Sequence, residues 1–319
     1  MKLAYGISAY KDPVHLKRLV SALGADGVEF YVHIDKKVDI GTFRQSLHEY
    51  KNCHILEDRY NILWGGWSQV KYQLLFLKEM LMSRNCPDRI FIITGQDYPL
   101  WSNKRIRQCA IDFPEKVWMR GINLTQLPSS SHMKRFLSIP HYFRDVDFHN
   151  EKLRHYITGG QRELFLKIFP SIRKNYIIVD GQKWDIWQSS GYFSCNREVA
   201  QYIIDTMEKN PQIESYFRKT FVPEEITIPT IIFNSKYRDD AEIFQGKQYE
   251  GLSTLASLHK FYYSKAIKIY EEKDCDNLIA SGKMFCRKVV TGFSDTLMDK
   301  IDTYRTEEKE MGVCPTICE

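Results

Sequence analysis

The sequence predicts an α/β fold. Short apolar runs alternate with segments of helical period from the first residues onward, and polar or acidic residues gather where the apolar runs end. At 319 residues, 43% of them hydrophobic, the chain can bury a sizeable core within one large domain.

Residues 3–10 read as a strand, Pro13 to Leu23 as an amphipathic helix, and Glu29 to Ile34 as a second strand, which makes a βαβ opening. Ligands of open α/β sheets sit at the carboxyl ends of the strands, so Ser8 to Tyr10 and His33 to Lys37 stand where a nucleotide would bind. No GxGxxG follows the first strand, which counts against a dinucleotide fold built on a glycine-lined pyrophosphate turn. Trp64-Gly65-Gly66-Trp67-Ser68 leads into a helix over Gln69 to Met82, with Val70, Leu74, Leu77 and Leu81 as its core stripe and Ser68 as its N-cap. Arg89 to Ile93 is a buried strand that ends in Thr94-Gly95-Gln96-Asp97-Tyr98-Pro99-Leu100, a strand-to-loop junction carrying an acid. Residues 115–180 alternate weak strands with a charged helix from Gln161 to Phe169, and no linker or repeat interrupts the chain.

A net charge of +5 without a dense Lys/Arg tract excludes a broad nucleic-acid-binding face and fits a small anionic ligand. MKLAYGISAY runs straight into Lys11-Asp12-Pro13 with no signal-peptide pattern, and runs such as Phe91-Ile92-Ile93 and Tyr176 to Val179 are of strand length. These features predict a cytoplasmic protein without a transmembrane segment. The 8 Cys include no CxxC pair, so reduced thiols are expected, with Cys314 and Cys318 in a frayed tail. Nothing in the sequence fixes the oligomeric state.

Taken in order, Val32-His33-Ile34-Asp35-Lys36-Lys37, Trp64-Gly65-Gly66-Trp67-Ser68, Thr94 to Leu100, Ser190-Gly191-Tyr192-Phe193, Pro223-Glu224-Glu225 and Phe285-Cys286-Arg287-Lys288 resemble the core-2/I-branching β-1,6-N-acetylglucosaminyltransferase family, which includes the peptide O-xylosyltransferases. Each segment is weak alone; the shared order carries the resemblance. It implies a GT-A-like nucleotide-sugar-binding fold, a mixed central sheet flanked by helices, over residues 1–305. The donor half would span about 1–115 and the acceptor and catalytic half about 116–305, followed by a tail over 306–319.

The resemblance further implies an inverting, metal-independent glycosyltransferase that moves N-acetylglucosamine or xylose from a UDP-sugar to the hydroxyl of a glycan or glycolipid acceptor. Without a metal, cations must neutralise the leaving diphosphate, and Arg287 and Lys288 match the family's basic pair. A solvated basic pair is the plain alternative. No divalent metal or other cofactor is expected, and Asp145-Val146-Asp147 reads as a chance Asp-x-Asp in a polar, loop-like stretch. Glu225 matches the catalytic base and Glu224 stands where the family has Asp, on the acceptor side; an acidic first helical turn is the alternative. Pro229 forbids an unbroken helix through this segment. Ser190, Tyr192 and Trp187 match the acceptor side, where Trp184 and Trp187 would stack on a sugar or serve the core. Ser189 replaces a glycine there, which would be strained if the site needs a positive φ. Ser8, Asp35, Trp64, Gly95 and Asp97 fall at donor-side positions, Asp97 having the alternative role of capping its own turn. Two other functions fit the same pattern: a catalytically silent carbohydrate- or nucleotide-binding module, and a metal-dependent glycosyltransferase using Asp145 and Asp147.

Overall fold

In the computed structural model, which describes residues 1–129, 131–169, 172–245, 251–263 and 266–311, the βαβ opening forms as β1 (Leu3–Ala9), α1 (Pro13–Leu23) and β2 (Val28–Ile34). The chain continues through α2 (Gly41–Leu47), β3 (Cys53–Ile55), α3 (Ser68–Met82), β4 (Arg89–Thr94), β5 (Asp97–Pro99), α4 (Asn103–Asp112) and β6 (Arg120–Asn123). The second half begins with α5 (His132–Leu137), α6 (Glu151–Ile168), β7 (Tyr176–Val179), β8 (Gln182–Asp185), β9 (Trp187–Gln188) and β10 (Phe193–Asn196). It closes with α7 (Arg197–Lys209), α8 (Pro211–Phe217), α9 (Thr227–Phe233), β11 (Glu242–Ile243), β12 (His259–Lys260), α10 (Cys275–Ala280), β13 (Phe285–Arg287) and α11 (Asp295–Met311).

The main sheet has the order β10-β4-β1-β2-β3. Its first-half strands run parallel, and β10 adds an antiparallel edge, so the sheet is mixed. Burial on both faces explains the near-continuous apolar runs of β1, β2 and β4. Successive side chains point to opposite faces, so Phe91 and Ile93 enter the core under α1, α2, α4 and α11, while Ile90 and Ile92 enter the core shared with α3, α7 and α9. Two small sheets, β11-β6-β9 and β12-β13-β5, splice second-half residues against the first half.

Several boundaries differ from expectation for physical reasons. Ser68 is the first residue of α3, Trp67 occupies the cap position, and Ser68 Oγ accepts from the Leu63 amide at 2.9 Å. The charged helix starts at Glu151, capped by the Asn150 carboxamide oxygen; the Gly159-Gly160 pair inside it had hidden its first half. Pro229 sits in the first turn of α9, where its missing N–H leaves no helical bond unmade. The boundary expected after residue 305 falls inside α11, whose Glu308 pairs with Arg105 at 2.7 Å and accepts from the Ser102 amide at 2.8 Å. Cys53, Cys86, Cys195, Cys275 and Cys286 carry free thiols, while Cys314 and Cys318 lie outside the described residues. Among the described residues no helix is long and apolar enough to cross a membrane.

Candidate active site

At the carboxyl ends of β1, β2 and β4 lies a cleft of about 380 Å³. Ser8 to Lys11 form its floor at the end of β1, Asp35 and Lys37 stand at the β2 side, and Thr94 to Gln96 at the β4 side. Trp64, Gln69 and Tyr72 close one wall, and Tyr192 and Arg287 arrive from the second half. The fold therefore brings Ser8, Asp35, Trp64, Gly95, Tyr192 and Arg287 together.

Each wall is fixed by local bonding. Asp35 Oδ1 accepts from the Lys37 amide at 3.0 Å, and Arg59 grips the carbonyls of Ile34, Asp35 and Val38 at 2.9, 2.8 and 2.6 Å. Lys37 Nζ lies 3.6 Å from Asp35 and 3.3 Å from Glu151. Trp64 is 49% exposed, with the Arg144 guanidinium 5.4 Å from its ring centre. The next residue, Gly65, has φ +67°, which glycine adopts without cost. Gly95 has a spacing role: a Cβ there would sit 2.8 Å from Ala9 Cβ, so the glycine lets the ends of β1 and β4 approach.

Asp97 is placed differently from the donor-contacting role expected of it. It is fully buried and absent from the cleft wall. Its carboxylate accepts from the Thr94 amide at 2.7 Å and the Thr94 hydroxyl at 3.0 Å, with His259 Nε2 at 3.0 Å and Arg287 Nη1 at 2.9 Å. Burial pushes its pKa up, yet His259 and Arg287 outweigh that and hold it well below the usual carboxylate range. Asp97 is thus the counter-charge of Arg287. Arg287, whose side chain is 13% exposed, also donates to Thr94 Oγ1 and lies 5.1 Å over the Tyr192 ring. Its Nε is buried without a protein partner among the described residues. Lys288 is half-buried; burial, then Lys11 and Arg287, lower its pKa to about 8.

The acidic pair lies on a 3₁₀ turn, Pro223–Glu225, entered through Val222 at φ +47°. The turn is tied to the strand end by the Ser189 amide, which donates to the Glu225 carbonyl at 2.9 Å. Ser189 is not among the residues of positive φ, so replacing glycine there brings no strain. Glu224 is buried, and its Oε2 has no partner among the described residues. Glu225 is half-buried and accepts from Gln188 Nε2 at 2.9 Å. Burial pushes both carboxyls up, Glu225 to about 7 against the lowering bond from Gln188, and the Glu225 charge raises Glu224 further. Neither carboxyl lines the cleft; both lie near enough to Tyr192, in its wall, to add slightly to the rise that burial gives that phenol's pKa.

Two acceptor-side expectations change. Trp187 is buried and stacked on Phe233 at 4.5 Å, Trp184 is also buried, and neither offers a face to a sugar. Ser190 is buried, and its hydroxyl donates to the Tyr192 carbonyl at 3.0 Å, so it shapes the turn. The Asp-x-Asp carboxylates serve local structure: Asp145 accepts from the Trp67 amide at 2.6 Å and Arg218 at 2.9 Å, and Asp147 from Asn61 at 2.5 Å and the His149 amide at 2.8 Å. Sequence reasoning missed Lys11, Tyr72, Gln188 and His259. None left a local signal: Gln188 opens the polar stretch Gln188-Ser189-Ser190, and His259 is joined to Asp97 by folding alone.

A family model described as Branch: Core-2/I-Branching enzyme matches residues 3–122. Xylosyltransferase 2 of Rattus norvegicus is 23% identical over 241 residues, 74% of this chain and 25% of that protein. Xylosyltransferase 1 of Homo sapiens is 23% identical over 231 residues, 70% of this chain and 21% of that protein. N-acetyllactosaminide beta-1,6-N-acetylglucosaminyl-transferase of Homo sapiens is 27% identical over 123 residues, 38% of this chain and 31% of that protein. The chain spans about a quarter of the length of the xylosyltransferases it matches. The matched segment 3–122 contains β1 to β5 and the three strand ends that floor the cleft, and the helix-flanked mixed sheet fits a GT-A-like fold. Over these strand ends the chain is similar to the core-2/I-branching enzyme family, and the similarity to the xylosyltransferases reaches into its second half.

Proposed function

We propose that the protein is an inverting glycosyltransferase that needs no metal and uses a UDP-sugar, with N-acetylglucosamine or xylose as the sugar and a glycan or glycolipid hydroxyl as acceptor. The observation that carries this reading is the charge layout: Arg287 at the β13 side of the cleft with Lys288 next to it in the chain, and a carboxyl raised to about 7 on the turn beyond Tyr192. Glu225 accepts the proton of the acceptor hydroxyl as its oxygen bonds to the anomeric carbon. The bond from that carbon to the diphosphate breaks on the opposite face, and UDP leaves with the electron pair. Arg287 and Lys288 neutralise the charge developing on the diphosphate. Asp35 stands on the nucleoside side.

The test is UDP release from a panel of UDP-sugars, with and without chelator. Chelator-resistant release supports the reading. Chelator-sensitive release points to a metal enzyme, and UDP binding without release points to a silent module.

A further inference from the structure

The basic pair does not account for all the positive charge at the β13 side of the cleft. Lys11 follows β1, is exposed, and forms part of the cleft wall. Its turn is fixed in place: the Asp12 carboxylate accepts from the Thr291 amide at 2.9 Å, the Thr291 hydroxyl at 2.8 Å and the His15 amide at 3.0 Å. Asp12 thereby fastens the Lys11 turn to the loop that follows Arg287 and Lys288. Lys11 comes close enough to depress the pKa of Lys288. Among the described residues neither lysine has a carboxylate ion-pair partner; Lys11 Nζ lies over the Tyr10 ring at 5.4 Å.

The nearby acids are already engaged. Asp12 caps α1 and holds Thr291, Asp97 balances Arg287, and Asp35 and Glu151 face Lys37. Lys11 therefore stands without a carboxylate partner among the described residues in the cleft wall that Arg287 also lines, with the half-buried Lys288 next to Arg287 in the chain and near enough to Lys11 to feel its charge. Like charges held together cost free energy unless an anion joins them. We propose that Lys11 is a third cation of the diphosphate end of this cleft, holding phosphate oxygens together with Lys288 and Arg287; the diphosphate rests on the UDP-sugar reading above. Arg287 is positioned by its bond to Asp97, whereas Lys11 and Lys288 supply the net positive charge.

Calorimetric titration of the full chain with inorganic pyrophosphate, UDP and uridine tests this. Lys11→Met keeps the stem and removes the charge; Lys11→Arg keeps the charge. Lys11→Met should weaken pyrophosphate and UDP roughly tenfold or more, as expected for a lost charged hydrogen bond, and leave uridine unchanged. Lys11→Arg should stay near wild type for all three, and thermal melting should show both variants folded. The inference is overturned if Lys11→Met binds pyrophosphate as wild type does, or loses uridine in parallel. Wild type that binds UDP indifferently to residue 11 sinks the inference and spares the UDP-sugar reading. Lys11-dependent pyrophosphate binding without UDP binding sustains the anion site and sinks that reading, and wild type that binds neither overturns both.

Discussion

Asp97 and the Glu224-Glu225 pair are acids taken out of water in the same molecule, yet they are driven to opposite protonation states. Asp97, fully buried, is met by the Thr94 amide and hydroxyl, His259 and Arg287, and stays ionised. Glu224, 6% exposed, has a bare Oε2 and a neighbouring carboxyl, offset in part by a bond from its own backbone amide and by the charge of Arg144. Burial raises both; partners decide the outcome. The partnered acid organises the cation that holds the donor in the proposed reaction, and the pair, bonded to no cation among the described residues and to the neutral amide of Gln188 alone at Glu225, is left able to take a proton.

The largest expected effect strikes the pair. Glu225→Gln should lower turnover by about 100-fold or more while donor affinity hardly changes, because the amide keeps the shape and loses the base. Equal effects from Glu224→Gln, measured in the same UDP-release assay, would assign the base wrongly. On the partnered side, Asp97→Ala leaves Arg287 buried without its counter-charge and should cost about 3 kcal/mol in chemical denaturation. The pKa of Asp97 is lower in the folded state, so its contribution is present above the unfolded value and fades as pH falls. The gap between wild type and variant should therefore narrow in acid; a constant gap would deny the ion pair.

The pH profile sharpens the contrast. With Glu225 raised to about 7, turnover should climb as pH rises through that value, since only the ionised form accepts a proton. Burial and not Glu224 raises Glu225, so Glu224→Gln should leave this limb in place; a limb that moves to lower pH would show a charged Glu224 beside the base. Glu224 itself has a folded-state pKa above its unfolded one, so wild-type stability is lost as pH rises beyond the unfolded value. Glu224→Gln should thus melt roughly 2 °C or more above wild type at pH 8, with the difference closing in acid. The smallest effect is expected from Asp145→Asn with Asp147→Asn, which should leave chelator-resistant turnover largely intact; abolished turnover would shift the diphosphate site to those aspartates.

The first half of the fold was legible because its signals are local. Val70 and Leu77 at helical spacing, the β-branched run of β4 and the helix start at Pro13 each report on neighbours a few residues away. Ser8, Asp35 and Gly95 followed, since strand ends in a parallel sheet converge on one edge. Trp187 could not be assigned in that way: a tryptophan before a polar turn reads alike whether it faces a sugar or stacks on Phe233. Asp97 was located but given the wrong neighbour, because His259 and Arg287 reach it only through the pairing of β5, β13 and β12. Lys11 looked like any solvated lysine, and only folding, through the bonds of Thr291 to Asp12, brings its turn beside the loop after Lys288.

Val222 carries a consequence for how portable the Pro-Glu-Glu segment is. A β-branched residue at φ +47° stores about 1–3 kcal/mol of backbone strain, which three residues with a proline cannot impose by themselves. The constraint comes from outside: Ser189 on the Glu225 carbonyl, the Thr227 hydroxyl on the Pro223 carbonyl at 2.8 Å, and the packing of Val222 inside the fold. Grafted onto another scaffold, the same letters would relax to a different shape and their carboxyls would return to ordinary acidity. The raised pKa of the pair is a property lent by distant parts of the chain, so a three-letter search for it will find many copies of the spelling and few of the environment.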